Sequence, residues 1–301
     1  MIVTDLNFFL EDRLVKKLDY MILRCEQEHP KKDALLIIEG AEGEGKSNTS
    51  VACSYYIKSK TNRDIHLFFR LKELISFAQN TSGKIIIWDE PALDALSIDW
   101  YNRTNKDLMR LLMAVRRNRH FFIFNLTKFY KFNEYMVVDR GLGLIHMYSR
   151  REIEPGRFVY IRRKNLEELY RGYKTSKKRL YKQLTSFRGS FPEVLEKYFD
   201  KMDITVNGIP HATYEDYDRE KNKAIQSIGG DNNDTKQDSK EKMELFRLKK
   251  VIGNAKCPIK TKEELASKLE INVKTLRRWS LIKLKDSDKD PPTSSDSPKK
   301  V

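Results

Sequence analysis

Gly40-Ala-Glu-Gly-Glu-Gly-Lys-Ser47 decides how this sequence is read. The octapeptide fits G-x-x-x-x-G-K-[ST] and also the tighter form G-x-x-G-x-G-K-S, and its flanks supply the context such a motif needs. Ala34-Leu-Leu-Ile-Ile-Glu39 is a short apolar run that reads as a buried strand ending at the loop. Lys46 to Lys58 reads as a helix with Val51, Ala52, Tyr55 and Tyr56 on its apolar side. Strand, glycine loop and helix therefore stand in the order that cradling a phosphate requires. Gly40, Gly43 and Gly45 lack a Cβ, so the backbone can turn sharply and aim its N–H groups at phosphate oxygens. The following helix adds its positive end. On this reading Gly40, Ala41, Glu42, Gly43, Glu44, Gly45, Lys46, Ser47 and Asn48 line the phosphates of ATP. Lys46 neutralises the β- and γ-phosphates, and the Ser47 hydroxyl is a Mg2+ ligand. Glu42 and Glu44 are odd neighbours for a polyanion, and the reading requires them to face solvent or basic groups of a neighbour.

A second stretch matches the first. Lys84-Ile-Ile-Ile-Trp-Asp-Glu90 is an apolar run ending in two acids, which reads as a buried parallel strand with carboxylates at its C-terminal edge. Open α/β sheets bind their ligands at that edge. Asp89 is the candidate for the Mg2+ shell, and Glu90 for the general base that polarises the attacking water.

The pair resembles the P-loop NTPases that have an extra strand between the two motifs and a catalytic glutamate beside the magnesium aspartate. Asp64-Ile-His-Leu-Phe-Phe-Arg70 supplies a strand between them in sequence. Within that division, Gly43 and the Asp89-Glu90 pair resemble the DNA-pumping class: FtsK–HerA type translocases, conjugation ATPases and zonula occludens toxin-like phage proteins. The resemblance spans roughly residues 33 to 150 and is more specific for ATP binding than for the subclass. It implies a polar sensor of the γ-phosphate on the next strand, His120-Phe-Phe-Ile-Phe-Asn-Leu-Thr127, where Asn125 and Thr127 are candidates. The class often has glutamine there and this chain does not; Asn125 at a strand end is the plainer alternative. The helix read over Asn105 to Arg119 ends in Arg116-Arg-Asn-Arg119. Those cations suit a helix C-terminus, or one of them is an arginine finger for a neighbouring subunit. Arg140, Arg150 and Arg151 are further candidates.

Composition bounds the partners. The chain has 301 residues, 58 Lys and Arg against 43 Asp and Glu, and a formal charge of +15. Such an excess points to an acidic polymer, most simply double-stranded DNA, with a solvated basic surface as the alternative. Cys25, Cys53 and Cys257 are scattered without a paired spacing and suit a reducing cytoplasm. No metal-ligand spacing of His and Cys appears, so no structural zinc is expected. No signal layout and no membrane-length apolar run is present in the sequence given.

The fold class expected is α/β: a mainly parallel P-loop NTPase sheet flanked by helices, with a small all-α helix-turn-helix domain after it. Leu6 to Glu28 reads as a leading helix through Leu10, Leu14, Leu18, Met21 and Cys25, capped by Thr4 or Asp5. Leu71 to Ala78 reads as a short helix, and Gly143–Tyr148 and Arg157–Arg162 as a strand pair around Glu154-Pro-Gly156. Asn165 to Leu184 is a basic helix whose Tyr170, Tyr173 and Tyr181 suit either nucleic-acid stacking or the core. Residues 185–228 look irregular with short helical pieces. The ATPase domain is placed at 1–228, a polar linker at 229–240, a helix-turn-helix at 241–284 and a Pro- and Ser-rich disordered tail at 285–301. Thr261-Lys-Glu-Glu264 is a capping box, and Asn272 caps a third helix carrying Lys274, Thr275, Arg277 and Arg278 on or beside its exposed face. Two functions compete. One is an ATP-driven, homo-oligomeric motor or remodelling ATPase on DNA. The other is a nucleotide switch acting as a DNA-binding regulator or partition-type protein.

Overall fold

The computed structural model describes residues 2–3, 5–89, 98–150 and 154–230. Glu90, Arg151, most of the expected linker, the expected helix-turn-helix and the tail lie outside the described residues. Residues 1–230 form one compact unit.

Its centre is an eight-stranded sheet. The strands are β3 (Ala34–Glu39), β4 (Ile65–Phe68), β5 (Ile85–Trp88), β6 (Phe121–Leu126), β7 (Gly141–Arg150), β8 (Glu154–Arg162), β9 (Thr185–Ser190) and β10 (Ile204–Val206). They run in the order β10-β4-β5-β6-β3-β7-β8-β9. Every pairing from β10 to β7 is parallel, and β8 and β9 add an antiparallel edge. The strand lying between β3 and β5 in the sheet is β6. The strand expected from Asp64–Arg70 is present as β4, between β3 and β5 in sequence, and in the sheet it lies outboard of β5. A short separate ribbon pairs β1 (Ile2–Val3) with β2 (Phe9–Leu10).

Strand alternation divides the core into two layers. Leu36, Ile38, Ile85, Ile87, Phe121 and Ile123 face one side, under α1 (Asp12–Glu26), α2 (Lys46–Thr61), α6 (Leu195–Tyr198) and α7 (Tyr214–Gly230). Leu35, Ile37, Ile86, Trp88, Phe122 and Phe124 face the other, under α3 (Leu71–Asn80), α4 (Ile98–Ala114) and α5 (Leu166–Leu184). Both faces being covered is why the central strands are continuously apolar instead of alternating. No helix of the described residues is long and apolar enough to cross a membrane.

Several expectations need correction. The leading helix starts at Asp12, since Glu11 is extended and serves as its N-cap. Leu10 is buried from the ribbon, not the helix, and Asp5 accepts the Tyr55 hydroxyl at 2.8 Å instead of capping. α2 has no single apolar face: residues Asn48 through Ile57 are all buried, with polar Ser54 satisfied by the Ser50 carbonyl at 2.7 Å. α4 begins at Ile98 and stops at Ala114, and a 3-10 turn over Val115–Asn118 follows. Residues 185–228 are organised, not irregular. β9 and β10 close the two edges of the sheet, and α7 continues through Gly229 and Gly230, where the linker was placed. Tyr173 and Tyr181 of α5 are buried, and the half-buried Tyr170 packs against the same cluster beside Phe129, with its hydroxyl on the Phe132 carbonyl at 2.8 Å. These tyrosines are core, not a stacking platform for bases.

Arg140 is also structural. It ends a π-helical turn (Tyr135–Arg140) and forms a buried ion pair with Asp33 at the approach to β3. Burial raises the Asp33 carboxyl, while the Arg140 charge pulls it back. Arg140→Ala leaves that carboxylate buried without its partner and should cost about 3–5 kcal/mol of stability. A raised folded-state value means the stability is present in acid and lost as pH rises, so this deficit grows as pH passes up through the carboxylate range. Urea midpoints of the two proteins at acid and neutral pH measure it.

Candidate functional site

β3 ends at Glu39 and hands the chain to the glycine loop. The Gly40 N–H donates to the Leu126 carbonyl at 3.2 Å, and a Cβ on Gly40 would come within 3.0 Å of Met147. Gly43 and Gly45 have φ of +78° and +89°, the left-handed region where a side chain is strained. Gly45 is the N-cap of α2, and no side chain caps that helix or places an acid in its first turn. The first backbone N–H groups of α2 thus have no intrahelical acceptor and present the positive helix end to the loop. Lys46 is buried, with its Nζ donating to the Ala41 carbonyl at 2.6 Å, across the loop's interior.

Neither loop glutamate competes for this space. Glu42 is exposed. Glu44 is held by the hairpin of β7 and β8: its carboxylate accepts the Ser149 hydroxyl at 2.6 Å, and its carbonyl accepts the Gly156 N–H at 3.3 Å. Ala41 and Gly43 are exposed along the loop. Asn48 departs from expectation. Its Nδ2 donates to the Pro192 carbonyl at 2.8 Å, and its Oδ1 accepts the N–H groups of Val194 and Leu195 at 2.7 and 3.0 Å. That side chain anchors the segment entering α6 and is not turned to the loop.

Asp89 follows β5 directly, and its N–H donates to the Phe68 carbonyl at 2.9 Å. It is fully buried. Its Oδ1 accepts the Ser47 hydroxyl at 3.0 Å and the Asn125 amide at 2.6 Å, and its Oδ2 accepts the Tyr217 hydroxyl at 2.9 Å. The sheet makes this possible, because β6 lies between β3 and β5 and carries Asn125 opposite Ile38 in register. Asn125 also donates to the Ser50 hydroxyl at 3.0 Å. A carboxylate can only accept, so the amide must present nitrogen to Asp89. Its Oδ1 is then a buried acceptor with no partner among the described residues. Asn125, rather than Thr127, is thus the candidate drawn into the site.

The donor set fits a hard divalent cation. Three neutral groups solvate Asp89, and among the described residues none of its partners is a cation. A buried carboxylate so placed is stabilised by a positive charge. Hydroxyl and carboxylate oxygens are the ligand types that Mg2+ takes, usually with several waters retained. An unpartnered amide oxygen next to them suits one of those waters.

Behind the loop sits a second polar group. Glu39 is buried, paired with His146 and accepting the Tyr181 hydroxyl at 3.0 Å. His146 and Tyr181 stack at 4.0 Å between ring centroids. Burial and the Glu39 charge push the Tyr181 hydroxyl well above its ordinary value, so it remains a donor. The remaining arginine candidates separate. Arg119 donates to the carbonyls of Cys25 and Glu26 at 2.8 and 2.6 Å and closes the C-terminus of α1, whereas Arg116 and Arg117 are exposed.

No family model matches the chain, and no curated protein matches it. Among solved structures, the FIGL-1 AAA domain in complex with ADP is similar at 14% identity and a TM-score of 0.35, over 57% of this chain and 67% of that one. A likeness that distant lends nothing to the site, which stands on its own geometry.

Asn48→Ala tests the correction at the loop's edge. It unpairs the backbone N–H groups of Val194 and Leu195 and should cost about 1–3 kcal/mol, read as a lower urea midpoint. Affinity for a fluorescent ATP analogue should be unchanged; a loss at this position would return the side chain to the phosphates.

Proposed function

We propose that this chain is a Mg2+-dependent ATPase that works on DNA. The observation that carries the ATPase part is the bond from the Ser47 hydroxyl to Asp89, made at the mouth of an uncapped helix behind a left-handed glycine loop. The loop and the α2 N-terminus bind the β- and γ-phosphates through backbone N–H groups. Lys46 exchanges the Ala41 carbonyl for phosphate oxygens. Ser47 and Asp89 would hold Mg2+, which would neutralise charge that develops on the transferred phosphoryl group. Asn125 fixes the Asp89 carboxylate and offers its oxygen to water. Glu90, next in sequence to Asp89, is assigned the role of general base.

The DNA part rests on the formal charge of +15 and on the helix-turn-helix pattern over 261–281. The tyrosines of α5 no longer contribute to it. Motor action in a homo-oligomeric ring, with an arginine from one subunit reaching the next, completes the reading. Among the described residues, Arg116 and Arg117 are exposed candidates for that arginine.

Steady-state ATP hydrolysis with and without double-stranded DNA tests both parts. Turnover should require Mg2+ and rise on DNA. Lys46→Ala should abolish nucleotide binding, and Glu90→Gln should lower turnover about a hundredfold or more with binding retained. Turnover indifferent to DNA, with tight binding at one DNA sequence, would sink the motor in favour of a nucleotide-switched regulator. Turnover untouched by Glu90→Gln would remove the base.

A further inference from the structure

Tyr217 touches Asp89 from a helix that neither motif foretells. α7 begins with a capping box: the Thr213 N–H donates to the Asp216 carboxylate at 3.1 Å, and the Asp216 N–H donates to the Thr213 hydroxyl at 3.2 Å. Those reciprocal bonds set the first turn of α7, and Tyr217 is the next residue. Its ring is buried, with Phe199 and Phe69 at 5.3 and 5.6 Å between centroids. A ring so enclosed has little rotamer freedom, and its hydroxyl spends its proton on Asp89 Oδ2. The opposite oxygen of the carboxylate is occupied by Ser47 and Asn125.

We propose that Tyr217 is a positioning residue for the metal site, and that it makes the docking of α7 depend on whether the metal is held. The proposal deepens the Mg2+-dependent nucleotide reading and rests on it. A carboxylate has room for about four hydrogen-bonding partners. Three are used here, and they come from α2, β6 and α7, so the plane of the carboxylate is fixed before any ligand arrives. The one acceptor direction left lies on Oδ2, beside the Tyr217 bond. Losing the Tyr217 hydroxyl frees the carboxylate to rotate and leaves Oδ2 without its donor. Coupling is reciprocal. If Tyr217 strengthens metal binding, then metal binding strengthens the attachment of α7.

The test uses the full-length chain and a fluorescent non-hydrolysable ATP analogue, titrated with Mg2+ and separately in EDTA. Tyr217→Phe keeps the ring and removes the hydroxyl. Its half-saturating Mg2+ concentration should rise between about tenfold and a hundredfold, as expected for loss of a group that orients a metal ligand. Analogue binding in EDTA should match the wild type, which a general folding defect would not allow. Amide hydrogen exchange over 214–230 in the wild-type chain, which needs no variant to fold, should slow when Mg2+ joins the analogue and not when the analogue is added in EDTA. An unchanged Mg2+ requirement in Tyr217→Phe, or α7 exchange indifferent to Mg2+, overturns the proposal while leaving nucleotide binding intact. Failure of the wild type to bind the analogue at all, in a preparation where Lys46→Ala behaves identically, overturns the nucleotide reading and this proposal with it.

Discussion

A carboxylate buried among neutral donors is the constraint around which this molecule is arranged. Asp89 lies at the end of the wholly apolar β5, fully buried, and its oxygens are satisfied by two hydroxyl groups and one amide. Each of those groups arrives from a different element. The strand order supplies Asn125, the glycine loop supplies Ser47 at the first turn of α2, and the closing helix supplies Tyr217. The aromatic packing around Trp88, Phe124 and Phe132 excludes water from the layer beneath. The polar arrangement is therefore the alternative to solvation, and its loss has no cheap replacement.

Much of the fold was legible in the sequence, for reasons that can be assigned. β5 is wholly apolar, and β3 and β6 carry one polar residue each, Glu39 and Asn125, because both sheet faces are covered; such runs stand out against a charged chain. The glycine loop was legible because its backbone conformations demand particular residues at fixed spacing. The misreadings have causes of the same kind. α2 reads as amphipathic because Ser and Thr look like a polar face, yet Ser50 and Ser54 bond to the preceding turn, Thr49 donates to the Met147 sulfur, and all three are buried. The edge strand β10 has only three residues, and β9, though six long, carries weak alternation, so both pass for loop. Their pairing is decided by the neighbouring strands, which no local window contains.

At the site, the residues found by motif are those whose backbone neighbourhood is itself unusual. The residues missed are held only by tertiary contact. Tyr217 is one of 14 tyrosines and has no spacing relation to the loop. The Glu39–His146–Tyr181 group is equally silent, although Glu39 adjoins the first loop glycine. Asn48 shows the opposite error. It stands within the pattern and so attracts the ligand by position, whereas its amide is committed to the chain entering α6. Arg140 similarly reads as a free cation until Asp33 is found beside it.

The groups gathered at Asp89 are spread over the chain, from Ser47 through Asn125 to Tyr217. Synthesis proceeds from the N-terminus, so the loop, the acid and the amide exist before the tyrosine does. A nascent chain that has not reached α7 lacks the donor to Asp89 Oδ2. The last helix of the 230-residue unit thus supplies the final donor, and the set around Asp89 is complete only once nearly all of that unit has been made.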